Sequence, residues 1–137
     1  MKKTIALFGK AEVGKTATLN LLIDLLEVAT TGCDMPKPMP PRQDRKKAFY
    51  YKEMKIGIGT RGDNQDEIEI NCSFFDIENC DVVFTATRTK GGSCNAIRKY
   101  CSEKGFELIW VKKECIKVEN AIDSYNLNLA QQLLNRI

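Results

Sequence analysis

The sequence contains no histidine in its 137 residues. This absence excludes histidine acid–base catalysis, phosphohistidine chemistry and histidine-ligated metals, so any catalysis must depend on lysine, arginine, carboxylates, hydroxyls or cysteine. A net charge of +3 at pH 7 is too small to indicate nucleic-acid binding. The long apolar runs of membrane-spanning helices are also missing, and we therefore expect no membrane as a partner.

The six cysteines include no C-x-x-C pair, which leaves a zinc site or a dithiol redox motif without support. Cys94 and Cys101 are seven residues apart on a predicted helix and therefore share one of its faces. We expect buried free thiols that pack as small apolar groups, although an even number of cysteines is also compatible with disulfides. The apolar run that follows Lys3 ends at Phe8 and is too short for the core of a signal peptide.

Residues 9–16 read Gly-Lys-Ala-Glu-Val-Gly-Lys-Thr and fit G-x-x-x-x-G-K-[ST], the pattern of a phosphate-binding loop. The apolar run 4–8 before them is typical of a buried strand, and the leucine-rich stretch 17–30 after them is typical of a helix. Glycine lets the backbone turn tightly and approach a ligand, and the helix start adds the positive end of a dipole. The motif therefore predicts a site for the phosphates of a nucleotide, whereas a simple turn between strand and helix is the alternative.

Within this loop, Lys15 would reach the β- and γ-phosphates, and the hydroxyl of Thr16 would ligate Mg²⁺. Glu12 could orient a water molecule or a base, or point outward. The full set of predicted nucleotide-binding residues comprises Gly9, Lys10, Ala11, Glu12, Val13, Gly14, Lys15, Thr16 and Ala17.

The rest of the pattern predicts a single nucleotide-binding α/β domain over residues 1–137. We expect a three-layer, mainly parallel sheet with helices on both faces, because single helices separate most of the strands. The segments 47–52 and 54–60 form a hairpin, which gives the sheet one antiparallel edge strand. The predicted helix caps and stops are Asp63 or Asn64, Ser93, Gly32 and Gly105.

In an open α/β sheet, ligands bind outside the carboxyl ends of the strands. This rule brings together three loops at one edge, namely residues 9–16, 60–64 and 87–92. Asp63 follows an apolar strand and is a candidate for a second contact with Mg²⁺, with a helix cap as its alternative role. Arg88 and Arg61 are candidates for neutralising the γ-phosphate or the transition state, although surface arginines would look the same.

All four prolines and a basic cluster lie in residues 34–47, which can be neither the interior of a helix nor a central strand. The segment is either a stiff surface connector or a functional loop. As a functional loop it would bind a phosphate acceptor or a protein partner.

In residues 9–16 the chain resembles the P-loop NTPase superfamily, and the sequence of this segment is most similar to the first motif of small GTPases. The segments 58–64 and 85–93 look like small bacterial P-loop proteins of unassigned function. Residues 89–92 have glycine in place of the aspartate of an [NT]-K-x-D guanine loop, and no D-x-x-G follows the second strand pair. The resemblance therefore implies bound ATP in preference to GTP, with Mg²⁺, in a reducing cytoplasm.

Three functions remain open from these residues. The first is Mg²⁺-dependent hydrolysis of a nucleoside triphosphate or transfer of its phosphoryl group, with a small-molecule kinase as one form of it; Lys15, Asp63 and Arg88 would carry the chemistry. The second is a non-catalytic nucleotide sensor that acts through a partner. The third is a degenerate fold whose loop binds only sulfate or phosphate.

Overall fold

The structure, a computed structural model, describes residues 2–10, 13–35 and 44–137, apart from the side chain of Glu119. Strands and helices alternate along most of the chain, as the apolar pattern predicts. The elements are β1 (Lys3–Phe8), α1 (Lys15–Thr31), β2 (Lys46–Tyr51), β3 (Met54–Gly59), α2 (Gln65–Glu78), β4 (Val82–Thr87), α3 (Gly92–Lys104), β5 (Glu107–Lys112), a 3-10 turn (Glu119–Ala121) and α4 (Ile122–Leu134).

The strands form one sheet in the order β2-β3-β4-β1-β5. β1 pairs in parallel with both β4 and β5, and β3 pairs in parallel with β4. β2 pairs antiparallel with β3 at one edge, through a turn in which Lys52 and Glu53 have φ angles of 52° and 64°. Two consecutive positive φ values match the right-handed twist of a tight hairpin. The α/β class, the mainly parallel sheet and the antiparallel edge strand are confirmed.

Helices cover both faces of the sheet. On one face α1 and α4 pack against residues such as Ile5 and Phe84, and on the other α2 and α3 pack against Val83. Neighbouring residues of β4 pack into the cores on opposite faces of the sheet, because side chains alternate along a strand. The predicted three-layer arrangement is therefore confirmed for the residues that the structure describes.

One of the two predicted helix caps is confirmed and the other is wrong. Asn64 caps α2, since its side chain accepts a hydrogen bond from the backbone N–H of Glu67 at 3.0 Å, while Asp63 lies one residue earlier. The Ser93 side chain does not cap α3, because the helix already begins after Gly91, and its hydroxyl accepts a hydrogen bond from the backbone N–H of Arg88 instead. The stops at Gly32 and Gly105 are confirmed by φ angles of 75° and 74°.

We expect Asn64→Ala to destabilise the protein by about 1 kcal/mol, because the N–H of Glu67 loses its side-chain acceptor. A loss of this size should lower the melting temperature by roughly 4 °C for a chain of this length. Asp63→Ala is the matched control and should cost less, since it removes only an ion pair between half-exposed side chains. Thermal unfolding without ligand compares the two, and equal losses would contradict the assignment of the cap to Asn64.

The connections that follow β1 and β4 lie on opposite faces of the sheet. These strands are neighbours, yet the chain leaves β1 for α1 on one face and leaves β4 for α3 on the other. Connections that depart to opposite faces from adjacent parallel strands create a switch point, where open α/β sheets bind their ligands. A ligand site is therefore expected at the carboxyl ends of β1 and β4.

Candidate functional site

The ammonium of Lys15 lies at this switch point. Its Nζ donates hydrogen bonds of 2.7 Å to the carbonyl oxygens of Gly9 and Thr87, which follow β1 and end β4. The residue is only 5% exposed. Burial lowers the pKa of Lys15 below its ordinary value of 10.5, and the charge of Asp63 opposes this effect. A cation held by carbonyl groups, rather than by a carboxylate, would be stabilised by an arriving anion.

The backbone around this lysine has the shape that the glycine motif predicts. Gly14 precedes the first turn of α1 with φ 94°, a left-handed conformation that favours glycine. A Cβ on Gly9 would lie 3.0 Å from Cγ2 of Val13 and 3.1 Å from the carbonyl oxygen of Lys113, so this position too leaves little room for a side chain. No described side chain caps α1, and its first turn has no acidic residue. The amide groups at this helix start therefore suit an anion.

The other predicted loop residues differ in position. Thr16 is half-buried, and its hydroxyl donates to the carbonyl oxygen of Thr60 over 3.4 Å. Lys10 and Ala17 are exposed on the loop and on the first turn of α1. Ala11 and Glu12 lie outside the described residues, and their roles stay predictions.

Asp63 and Arg88 contact each other beside the loop. The Nε of Arg88 donates to Oδ1 of Asp63 at 3.0 Å, and both side chains are about half exposed. Gly62 packs against the end of β4 so closely that a Cβ there would lie 1.6 Å from the carbonyl oxygen of Ala86. The three loops that the topology rule brings together therefore do meet, through the pairs Lys15–Thr87, Thr16–Thr60 and Asp63–Arg88.

Arg61 belongs to a different set of contacts. Its guanidinium lies 3.3 Å from a carboxylate oxygen of Asp44 and 3.0 Å from one of Glu67. These two ion pairs tie the start of α2 to the residues before β2. They favour a structural role for Arg61 over contact with a phosphate.

Oxygen atoms near Thr16 suit a magnesium ion. The Thr16 hydroxyl lies beside the Thr60 carbonyl, and the Thr60 hydroxyl in turn donates to Oδ1 of Asp44 at 3.2 Å. Among the residues that the structure describes, no group of three or more acidic or cysteine side chains could hold a metal on its own. Mg²⁺ usually takes one or two protein carboxylates together with substrate phosphates. These oxygens therefore fit the ion if a polyphosphate supplies the remaining ligands.

Comparison with models of known protein families finds none that matches this chain, and a search of curated proteins finds no match either. The P-loop NTPase resemblance therefore stays a prediction from the motif and its setting.

No helix in the described part of the chain is long and apolar enough to cross a membrane. The described cysteines are free. Four of them are buried, as expected for thiols that pack as apolar groups, whereas Cys33 and Cys115 are exposed, and the expectation of burial is wrong for these two.

Two buried polar residues near Gly14 are missing from the sequence prediction. Lys113 follows β5, and its Nζ lies 3.4 Å from the place that a Cβ on Gly14 would occupy. Asn126 of α4 places its carboxamide nitrogen at the same distance of 3.4 Å from that point. The topology rule could have indicated Lys113 only if the position of β5 beside β1 had been known.

Proposed function

We propose that this chain binds a nucleoside triphosphate, ATP in preference to GTP, with the polyphosphate on residues 9–16. The observation that carries the proposal is the Lys15 ammonium, buried at the switch point and bonded to the ends of β1 and β4. It lies beside a helix start that no described side chain caps, where amide groups and the helix dipole favour negative charge. Residues 9–16 also match the phosphate-binding pattern and lie between a strand and a helix, as that pattern requires, which adds independent support.

In this proposal the reaction is Mg²⁺-dependent hydrolysis or transfer of the terminal phosphoryl group. Lys15 binds the phosphates, while Thr16 and Asp63 would hold the metal, whose charge would offset that of the phosphates. Oδ1 of Asp63 pairs with Arg88, so the metal would take the other carboxylate oxygen of Asp63. Arg88 stabilises charge that develops on the transferred group, since it directly follows Thr87, whose carbonyl oxygen binds Lys15. The ion pair with Asp63 holds Arg88 at this edge of the sheet.

A second candidate function, a nucleotide sensor, is favoured by the contacts around Thr60. The Thr60 carbonyl accepts a hydrogen bond from the Thr16 hydroxyl, and the Thr60 hydroxyl accepts one from the backbone N–H of Arg45 at 2.8 Å. The guanidinium of Arg45 then binds Asp24 of α1 at 3.0 Å. A ligand at Thr16 would thus act on the residues that lead into β2. Residues 36–43 of the proposed partner-binding loop lie outside the described part of the chain.

Phosphate release from ATP with Mg²⁺ tests the catalytic proposal. We expect saturable release in the wild-type protein and a loss of about 10³-fold in turnover for Arg88→Gln, the order of magnitude that a transition-state arginine contributes. Arg98→Gln is the matched control, because Arg98 lies on α3 with its guanidinium over Trp110. It should leave the rate unchanged.

The same assay separates the remaining functions. Release that rises when a small-molecule acceptor is added would support a kinase. Tight binding of ATP with negligible turnover would contradict catalysis and support the sensor. Absence of ATP binding would contradict both catalysis and the sensor. The remaining function would be a loop that binds only sulfate or phosphate.

A further inference from the structure

Lys113 is a buried cation that the proposed reaction does not use. The residue is 3% exposed, and its Nζ donates one hydrogen bond, of 3.1 Å, to the carbonyl oxygen of Glu114. The same Nζ lies 4.6 Å from the centre of the Tyr125 ring, a cation–π contact. An ammonium group has three N–H donors, so these contacts leave most of its hydrogen-bonding capacity for another partner.

The charge of Lys113 has little compensation among the described residues. The carboxylate of its neighbour Glu114 turns to Lys112 instead, at 3.8 Å. Within the part of the chain that the structure describes, no carboxylate lies within ion-pair distance of Lys113. Burial lowers the pKa of Lys113, and the charges of Cys115 and Glu114 oppose this effect only in part. Buried charges are normally paired, so this ammonium is placed to meet an anion that the protein itself does not provide.

Lys113 and Lys15 lie on opposite sides of the glycine loop. Lys15 binds the carbonyl of Thr87 in β4, whereas Lys113 follows β5, and β1 separates these two strands. The strand ends are thus two strand spacings apart, about 10 Å. Gly14 lies next to Lys113 and directly precedes Lys15. One phosphate at the β4 side would leave Lys113 without an anion, whereas a chain of phosphoryl groups would pass both lysines.

Asn126 adds a polar group on the same side as Lys113. Its carboxamide oxygen lies 3.3 Å from the hydroxyl of Thr18, which also reaches the carbonyl of Gly14 at 3.0 Å. These contacts join α4 to the first turn of α1. They hold the carboxamide nitrogen of Asn126 against Gly14, where it can donate to a ligand.

We propose that Lys113 and Asn126 form a second polyanion-binding position, so that the site selects a chain of at least two phosphoryl groups over a single phosphate. Asp63 and Arg88 lie on the Lys15 side, so the terminal phosphoryl group faces β4 and the phosphate next to the nucleoside faces Lys113. This inference rests on the proposed function, because both place the polyphosphate on residues 9–16.

Calorimetric titration with tripolyphosphate, pyrophosphate, orthophosphate and ATP, each with Mg²⁺, tests the inference. Wild-type protein should bind tripolyphosphate at least ~10-fold tighter than orthophosphate, since a second charge-assisted contact contributes about 1.5–3 kcal/mol. Lys113→Met should lose about 10-fold or more in affinity for tripolyphosphate and ATP by the same reasoning. Lys112→Met is the matched control: it removes the same charge one residue away, at a largely exposed position, and should change affinity less than about twofold.

Stability without ligand separates binding from a structural role. Lys113→Met should not lower the melting temperature of the ligand-free protein, because it replaces a poorly compensated buried charge with an apolar group of similar length. A lowered melting temperature with unchanged affinity would overturn the inference and make Lys113 a packing residue. Lys113→Gln provides the same comparison if the methionine variant does not fold, and the preference of the wild type for tripolyphosphate needs no variant.

The two proposals fail in different ways. If the wild type binds ATP through Lys15 but Lys113→Met binds it equally well, only the second position is wrong. Equal affinity of the wild type for orthophosphate and tripolyphosphate would also overturn the second position. If the wild type binds neither ATP nor tripolyphosphate, both the proposed function and the second position are wrong.

Discussion

Lys15→Ala is expected to abolish the rise in melting temperature that ATP and Mg²⁺ give to the wild-type protein. The substitution removes the one ammonium that lies buried at the ends of β1 and β4 among the described residues. Loss of one partner from a buried, hydrogen-bonded charge pair costs about 2–5 kcal/mol of binding free energy, which corresponds to roughly 30- to 5000-fold in affinity. Thermal unfolding with and without ATP, followed by calorimetric titration, measures the loss.

Lys99→Ala is the matched control for this substitution. Lys99 carries the same charge, but it lies on α3 and its side chain is 76% exposed. We expect it to weaken ATP binding only slightly, because exposed charges are screened by water and salt. An equal ATP-induced shift in Lys15→Ala and wild type would place the phosphates elsewhere on the molecule. A wild type with no shift would favour the loop that binds only sulfate or phosphate.

Gly62→Ala should have the largest effect on stability. An added Cβ would lie 1.6 Å from the carbonyl oxygen of Ala86 and 2.2 Å from its carbonyl carbon. Both are backbone atoms of β4, inside the sheet, and cannot rotate aside. The loop must therefore shift, at a cost of about 3 kcal/mol or more, which corresponds to a fall of roughly 10 °C in melting temperature. The shift would also move Asp63 away from Arg88 and so weaken any activity.

Gly92→Ala is the matched control, since it adds the same methyl group at the first residue of α3. The nearest atom would be Cβ of Gln65 at 3.4 Å, an ordinary contact. Alanine also favours a helix more than glycine does, so stability should stay equal or rise slightly. Thermal unfolding of the two variants decides the matter. A Gly62→Ala protein as stable as wild type would show that residues 60–64 do not pack against β4 as described.

The local features of the fold could be predicted from the sequence. The glycines of the motif predict a tight turn before α1, and Gly14 has a left-handed backbone there, with φ 94°. Asp66 and Glu67 occupy the first turn of α2, where their charges suit the helix dipole. Such features depend on a few neighbouring residues, and so a short stretch of sequence is enough to indicate them.

The contacts between distant parts of the chain could not be predicted in the same way. One local feature is also wrong, because a cap depends on where its helix begins: α3 begins after Gly91, and Ser93 binds the backbone of Arg88 instead. The ion pair of Asp63 with Arg88 depends on β3 and β4 being neighbours. Lys113 reaches Gly14 only because β5 pairs with β1, and no local pattern specifies that pairing.

A crystal structure of the chain with ATP and Mg²⁺ is the most direct test of the central claim. The account predicts phosphate oxygens against the backbone amides of residues 14–16 and within about 2.7–2.9 Å of the Lys15 ammonium, the usual length of a charge-assisted hydrogen bond. A nucleotide bound away from this loop, with Lys15 still bonded only to the carbonyls of Gly9 and Thr87, would contradict it.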